Sequence, residues 1–378
     1  MKSLTNLFIL FFVLIVLGFL YKRFEDKRLR DEEGDTHEAI KNYLLDDVTL
    51  GMSKKPILWI HVPHEYNSRN WLSFGSRNSF DLNQPYLYLT VRSIIKQCED
   101  SFTICIIDDF SFQRLIPNWN IDMTCIADPI LSNVRMLGLS KLLYIYGGLI
   151  CPISFVCLKN LIGLYHKGTN GNKMFVCEMV DRNITSTEYN FFPSLFFWGA
   201  PKECETVREL CNVIQRVVSH DFTADVRFLG EFNKWCKMNI ENGNINLIDS
   251  LEIGAKTKEG KQIIIDNLLS NYYLHISENA YGIYIPANEI LKRRKYEWFS
   301  RMSPKQVLES DTVIGNYLLL VTAPGNNKIL EPLNNKVNKS ITDKFVGFWK
   351  TPLYPGLWMV AQPNMLGDNI PRVSYTGR

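Results

Sequence analysis

An acidic pair, Asp108-Asp109, closes the apolar run Thr103 to Ile107. Open α/β sheets bind ligands at the carboxyl ends of their strands, so two carboxyl groups at such a place can hold a cation or a ligand's hydroxyls. The same pair is a common N-cap for a following helix, and the sequence leaves both readings open. A second stretch of chemical interest is Lys141 to Ser154. There an amphipathic helix runs into Gly147-Gly148, a β-rich segment follows at once, and Pro152 and Ser154 stand two apart on it. Neither supplies an anionic oxygen to a hard cation, so no metal site is expected there. His61, on an apolar strand behind Trp59, reads as a satisfied core histidine, and His220-Asp221 reads equally as an acid/base pair or a helix-end histidine.

The nine cysteines are odd in number, lie mostly in apolar stretches and lack the paired Cys-x-x-Cys spacing of a zinc site. They read as small buried hydrophobes and favour a reducing compartment. Cys151 and Cys157, six apart, alternate too irregularly to suggest metal ligands. A net charge of +3 is too small to imply nucleic-acid binding, and no basic stripe interleaved with aromatics alters that.

The elements that would position these residues form an α/β pattern. Ile57 to Val62 and Thr103 to Ile107 read as buried parallel strands, with a helix from Pro85 to Cys98 between them behind Asn83 as N-cap. A helix from about Ser132 to Tyr146 carries Met136, Leu139, Leu143 and Tyr146 on one face. Short strands follow at Met174 to Cys177 and Leu195 to Trp198, then helices from Glu203 to Val218 and around Ala224 to Met238. From Asn244 to Ile285 the pattern turns strand-like, including Ile263 to Ile265 and Tyr281 to Ile285. The basic cluster Lys292 to Lys295 reads as a solvated helix face.

Four regions result. Residues 1–22 are apolar from Leu7 to Tyr21 and read as a retained transmembrane anchor. Residues 23–54 are a charged stalk, 55–325 the globular domain, and 326–378 a segment rich in Pro, Gly and aromatics that would pack on the domain or dock on a protein partner through 334–378. Lys22, Arg23, Lys27, Arg28 and Arg30 follow the span while Lys2 alone precedes it. By the positive-inside bias the body of this single-pass protein then lies on the cytosolic, reducing side of its membrane.

Lys55-Pro56-Ile57-Leu58-Trp59-Ile60-His61, Leu142-Leu143-Tyr144-Ile145-Tyr146-Gly147-Gly148 and Leu158-Lys159-Asn160-Leu161 occur in that order. Over residues 55 to 200 the chain thereby resembles the glycosyltransferases called the sugar-binding region containing a DXD motif, and the related capsular polysaccharide synthesis proteins. The resemblance implies a GT-A-like nucleotide-sugar-binding fold with a mixed, mostly parallel sheet. It further implies a nucleotide-sugar donor and transfer of a sugar to an acceptor. Two family features are absent: Pro152 and Ser154 occupy the acidic positions of the metal motif, and Met136 and Leu139 those of an Asp and an Arg on the preceding helix.

The resemblance also implies roles for named residues. Asp108 and Asp109 would bind the nucleotide ribose or a cation, Arg135 or Lys141 would neutralise the diphosphate beside Ser154, and Glu178, Asp221 or Asp225 would deprotonate the acceptor hydroxyl. Gly147-Gly148 is expected beside the mouth of a parallel-stranded crevice also lined by Asp109. The chain as a whole is also similar to proteins of large DNA viruses that sit in an internal membrane. That implies the alternative of a virion component, beside the non-catalytic, membrane-anchored scaffold that the missing acidic positions leave open.

Overall fold

The computed structural model describes residues 55–63, 84–180, 190–219, 231–272 and 274–322. The expected anchor, the stalk and the segment 326–378 lie outside them, as does the proposed N-cap Asn83. Among the described residues no helix is long and apolar enough to cross a membrane.

Two uninterrupted apolar runs make the centre of the sheet. Strand β1 (Ile57–His61) and strand β2 (Thr103–Ile107) pair in parallel from Ile57 with Thr103 to His61 with Ile107. Both are buried on both faces, which is why neither shows the alternation of a half-exposed strand. Helix α1 (Leu87–Cys98) joins them and buries Leu89, Val91, Ile94 and Cys98. Its buried hydroxyls bind backbone elsewhere: Thr90 Oγ1 donates to the Ile153 carbonyl at 2.5 Å, and Ser93 Oγ accepts from the Cys157 amide at 2.9 Å. After β2 come the short helix α2 (Ser111–Leu115) and the long helix α3 (Ile130–Tyr146).

Strand β3 (Gly148–Ile150) then adds on the far side of β1, Leu58 facing Leu149. The chain continues through β4 (Phe155–Cys157), α4 (Ile162–Gly168), β5 (Met174–Val180), β6 (Phe191–Ala200), α5 (Glu205–Ser219), α6 (Glu231–Glu241) and β7 (Ile245–Ile248). The six-stranded sheet has the order β2-β1-β3-β6-β5-β7. Strand β6 runs against both neighbours and β5 pairs in parallel with β7, so all strands but β6 point the same way. The fold is therefore α/β with a mixed, mostly parallel sheet, as expected.

Three details differ from the sequence expectation. Ile263 to Ile265 is no strand; Ile265 opens the short helix α7 (Ile265–Leu268), because Asn267 caps the backbone there through its side chain on the Ile264 amide. Strand β8 (Gly282–Tyr284) leaves the main sheet and pairs antiparallel with β4 as a separate two-stranded sheet. It is followed by four helices, α8 (Ala287–Lys292), α9 (Glu297–Ser300), α10 (Pro304–Glu309) and α11 (Val313–Thr322), which bury Ile290, Trp298, Phe299, Val307, Ile314 and Leu318 against α1 and β8 in one apolar cluster.

The apolar face of α3 is also rotated from the one expected. Val134, Leu137, Leu142 and Leu143 are buried together with Arg135, while Met136 and Leu139 are only half-buried. The helix packs on α5 as well as on the sheet side, so burial extends around it.

Candidate functional site

At a sheet of order β2-β1-β3 the chain leaves β1 toward one side and returns to the other, and the crevice outside the carboxyl ends of β1 and β3 is the natural ligand position. Three side chains meet beside it. Asp109 follows β2, His61 ends β1, and Arg135 projects from α3. The guanidinium of Arg135 donates from Nε to Asp109 Oδ1 at 3.0 Å and from Nη2 to Oδ2 at 2.8 Å, a side-on bidentate grip. His61 Nε2 donates to the same Oδ1 at 2.9 Å, and its ring stacks on Phe112 with centroids 5.5 Å apart.

Burial raises the pKa of Asp109, but the hydrogen bonds from His61 and Arg135, together with their charges, outweigh it and hold the carboxyl down at about 2. Asp109 is thus an ionised acceptor at any physiological pH. A hard cation placed on it would compete with a guanidinium already seated there, whereas a ligand hydroxyl needs only a remaining lone pair. Of the two chemistries expected for this residue, the arrangement suits hydroxyl recognition.

Asp108 takes the other path. Its Oδ1 accepts from the Ser111 amide at 2.9 Å and from Ser111 Oγ at 2.6 Å, so it caps the turn into α2. Phe110, between the pair and the helix, is 60 % exposed.

Gly147-Gly148 is not at this mouth, which corrects the expectation. Register puts Gly148 beside Ile57, at the amino end of β1, whereas Asp109 lies past the carboxyl end. Strand β3 is level only with Ile57 to Trp59, so the chain reaches the carboxyl edge at Cys151 through Ser154 instead. The glycines serve packing: both have positive φ, +71° and +114°, and a Cβ on Gly148 would overlap the Ile57 carbonyl oxygen. The indole of Trp59 donates to the Gly147 carbonyl at 3.0 Å.

In the segment after β3, Pro152 and Ile153 are half-buried while Cys151 and Ser154 are enclosed. Ser154 is buried at 4 % exposure, and its carbonyl accepts from the Ile285 amide at 3.1 Å, just past β8. Lys141 sets its ammonium over the Trp119 ring, 5.5 Å from the centroid. It is nearly two helical turns beyond Arg135 and on another face of α3, so the two cations do not converge.

Glu178 lies in a separate cluster on the same edge, roughly 14 Å across the sheet from β1 by strand spacing. Its Oε2 accepts from Ser250 Oγ at 2.8 Å and from Lys256 Nζ at 3.3 Å, and Lys256 also pairs with Asp249 at 3.1 Å. Lys256 Nζ lies 4.6 Å from the Phe191 ring centroid. Burial lowers the pKa of Lys256, but bonding to Asp249 and the charges of Glu178 and Asp249 prevail and raise it. Asp221 and Asp225, and His220, lie outside the described residues.

Sequence reasoning missed Lys256 entirely and gave His61 no partner. The available signal for His61 was that β1 and β2, read as parallel neighbours, must end side by side. Among the described residues no group of three or more His, Cys, Asp or Glu comes together to hold a metal ion. No family model matches the chain, and no curated protein matches it.

Proposed function

We propose that this chain is a glycosyltransferase-like protein, tethered to a membrane by residues 1–22, that takes a nucleotide-sugar in the crevice outside β1 and β3. The observation that carries the reading is the ionised Asp109 fixed by Arg135 and His61 at the point where strand order reverses. Asp109 receives the ribose hydroxyls, and the exposed Phe110 beside it offers an apolar ring to the base. The mixed sheet, with one antiparallel strand inserted among parallel ones, supports a GT-A-like architecture. The glycine pair lends no support at the mouth.

One observation favours a second reading, the non-catalytic scaffold. Ser154 is buried under the β8 segment and Arg135 is spent on Asp109, so neither is positioned to carry the charge of a departing diphosphate. In that reading the fold is kept for its surfaces, and residues 334–378 bind a protein partner.

Thermal unfolding of the full-length protein in detergent, with and without uridine, guanosine and cytidine diphosphates and their sugar esters, decides between them. At a nucleotide concentration 100 times its Kd, binding stabilises by about 2.7 kcal/mol, or roughly 5–10 °C for a domain of this size. A shift with one nucleotide class supports the donor site, and repeating it with Mn²⁺ shows whether a cation contributes. No shift with any of them, together with a partner lost on removal of 334–378, establishes the scaffold instead.

A further inference from the structure

Eight of the nine cysteines are buried, and two of them touch although they are 59 residues apart in sequence. Cys98 is the last residue of α1, Cys157 the last of β4, and their sulfurs are 4.0 Å apart. Each has no measurable exposure. The two elements are already tied at this point: the Cys157 amide donates to Ser93 Oγ one turn back on α1, and Thr90 on the same helix holds the Ile153 carbonyl just before β4. Helix and strand therefore pack directly on one another beside the two thiols, the setting a disulfide requires, since its α-carbons must come within about 7 Å.

From this geometry we infer that Cys98 and Cys157 are a cross-linking site, closing into a disulfide that staples α1 to β4 whenever the chain folds in the presence of a disulfide oxidant. The chemistry is thiol–disulfide exchange. The Cys98 thiolate attacks one sulfur of a small-molecule or enzyme disulfide, forming a mixed disulfide and releasing one thiol. The Cys157 thiolate then attacks the Cys98 sulfur, forming the intramolecular bond and releasing the second thiol. Two protons and two electrons leave the protein, and the oxidant is reduced to two thiols.

The two thiols also differ in the folded domain. Hydrogen bonding from Cys157 outweighs burial and, with the Leu161 amide, draws the Cys98 thiol below its ordinary pKa, whereas burial drives Cys157 up. Burial also pushes up Cys105 and Cys236, each to about 12, as well as Cys151 and Cys177. The pair is sealed in the folded domain, so the bond forms while α1 and the β4–β8 sheet assemble. Once formed, it is sheltered from reductants. Its presence then reports which side of the membrane the body folded on, independently of any nucleotide binding.

The experiment is cell-free synthesis of the full-length chain into lipid nanodiscs, once with a glutathione redox buffer and a disulfide isomerase and once with dithiothreitol. Free thiols are then alkylated under denaturing conditions without reductant, and peptides are mapped by mass spectrometry. The expected result is a Cys98–Cys157 linked peptide in the first preparation alone, with the other seven cysteines alkylated. The oxidised protein should melt about 5–10 °C above the reduced one, a difference that Cys98→Ala and Cys157→Ala each abolish. Both cysteines alkylated in the oxidising preparation, or either one linked to a different cysteine, overturns the inference. If the alanine variants fail to fold, the peptide map of the unmodified chain decides alone.

Discussion

Arg135 and Asp109, 26 residues apart in sequence, form a two-point ion pair in which each side chain is less than a fifth exposed. That pair fixes the start of the loop after β2 to the flank of α3 and, through Asp109, fixes the imidazole at the end of β1. The carboxyl edge of the sheet is thereby held at three elements by one carboxylate.

Breaking this pair from the cationic side should be costly. Arg135→Met leaves the Asp109 carboxylate partly buried with His61 as its remaining bonded partner, and a loss of about 3 kcal/mol is expected. Arg135→Lys, which keeps the charge but not the planar fork, should recover part of it. Urea unfolding of the two variants against the parent measures both.

Acid should expose the same interaction. Asp109 has a folded-state pKa of about 2 against an ordinary 3.8, so its contribution is fully present above about pH 4 and is lost as pH falls through about 2. Stability measured from pH 6 down to 2 should fall less steeply in Asp109→Asn than in the parent. Equal slopes would mean that Asp109 is not the titrating group.

Restoring acids after β3 should fail to restore a metal site. Ser154 is buried and its carbonyl is bonded to Ile285, so Ser154→Asp places a carboxylate in an enclosed position. A loss of about 3 kcal/mol is expected, and Mn²⁺ should not rescue it in a thermal scan of the Pro152→Asp/Ser154→Asp double variant.

Gly148→Ala should be among the most damaging of small changes. Its φ of +114° is strained for any other residue, and the added methyl would press on the Ile57 carbonyl oxygen between two paired strands. A destabilisation of at least about 2 kcal/mol is expected. Gly243→Ala should cost less, because its φ of +74° lies near the left-handed well and nothing lies within 4 Å of a Cβ there.

How much of this was legible in the chain depends on the range of the interaction. The strand Thr103–Ile107 and the end of α3 were readable to the residue, because an apolar run stops at Asp108 and a helix stops at Gly147. The cap role of Asp108 was readable as one of two alternatives, since Ser111 lies within reach of any residue opening that turn. The partnership of His61 with Asp109 required strand register, and the burial of Ser154 required knowing that β8 leaves the main sheet to cover it. The glycine pair misled because it opens β3: the crossover helix α3 returns the chain to the amino edge of the sheet, so the pair lies a full strand away from the mouth. Of the helices after Ile285 the sequence showed only a basic face at Lys292 to Lys295, which the structure divides between the end of α8 and a following 3₁₀ turn, because four short elements in succession do not sustain a period long enough to read.

The central claim is that a nucleotide seats against Asp109 outside the carboxyl ends of β1 and β3. Photolabelling of the full-length protein with an azido-nucleoside diphosphate, followed by peptide mapping, tests it most directly. The account predicts saturable labelling of peptides containing residues 108–112 or 151–154, competed by unmodified nucleotide and reduced at least tenfold in Asp109→Ala. Saturable labelling confined to any other part of the chain, or none that unmodified nucleotide competes, would contradict it.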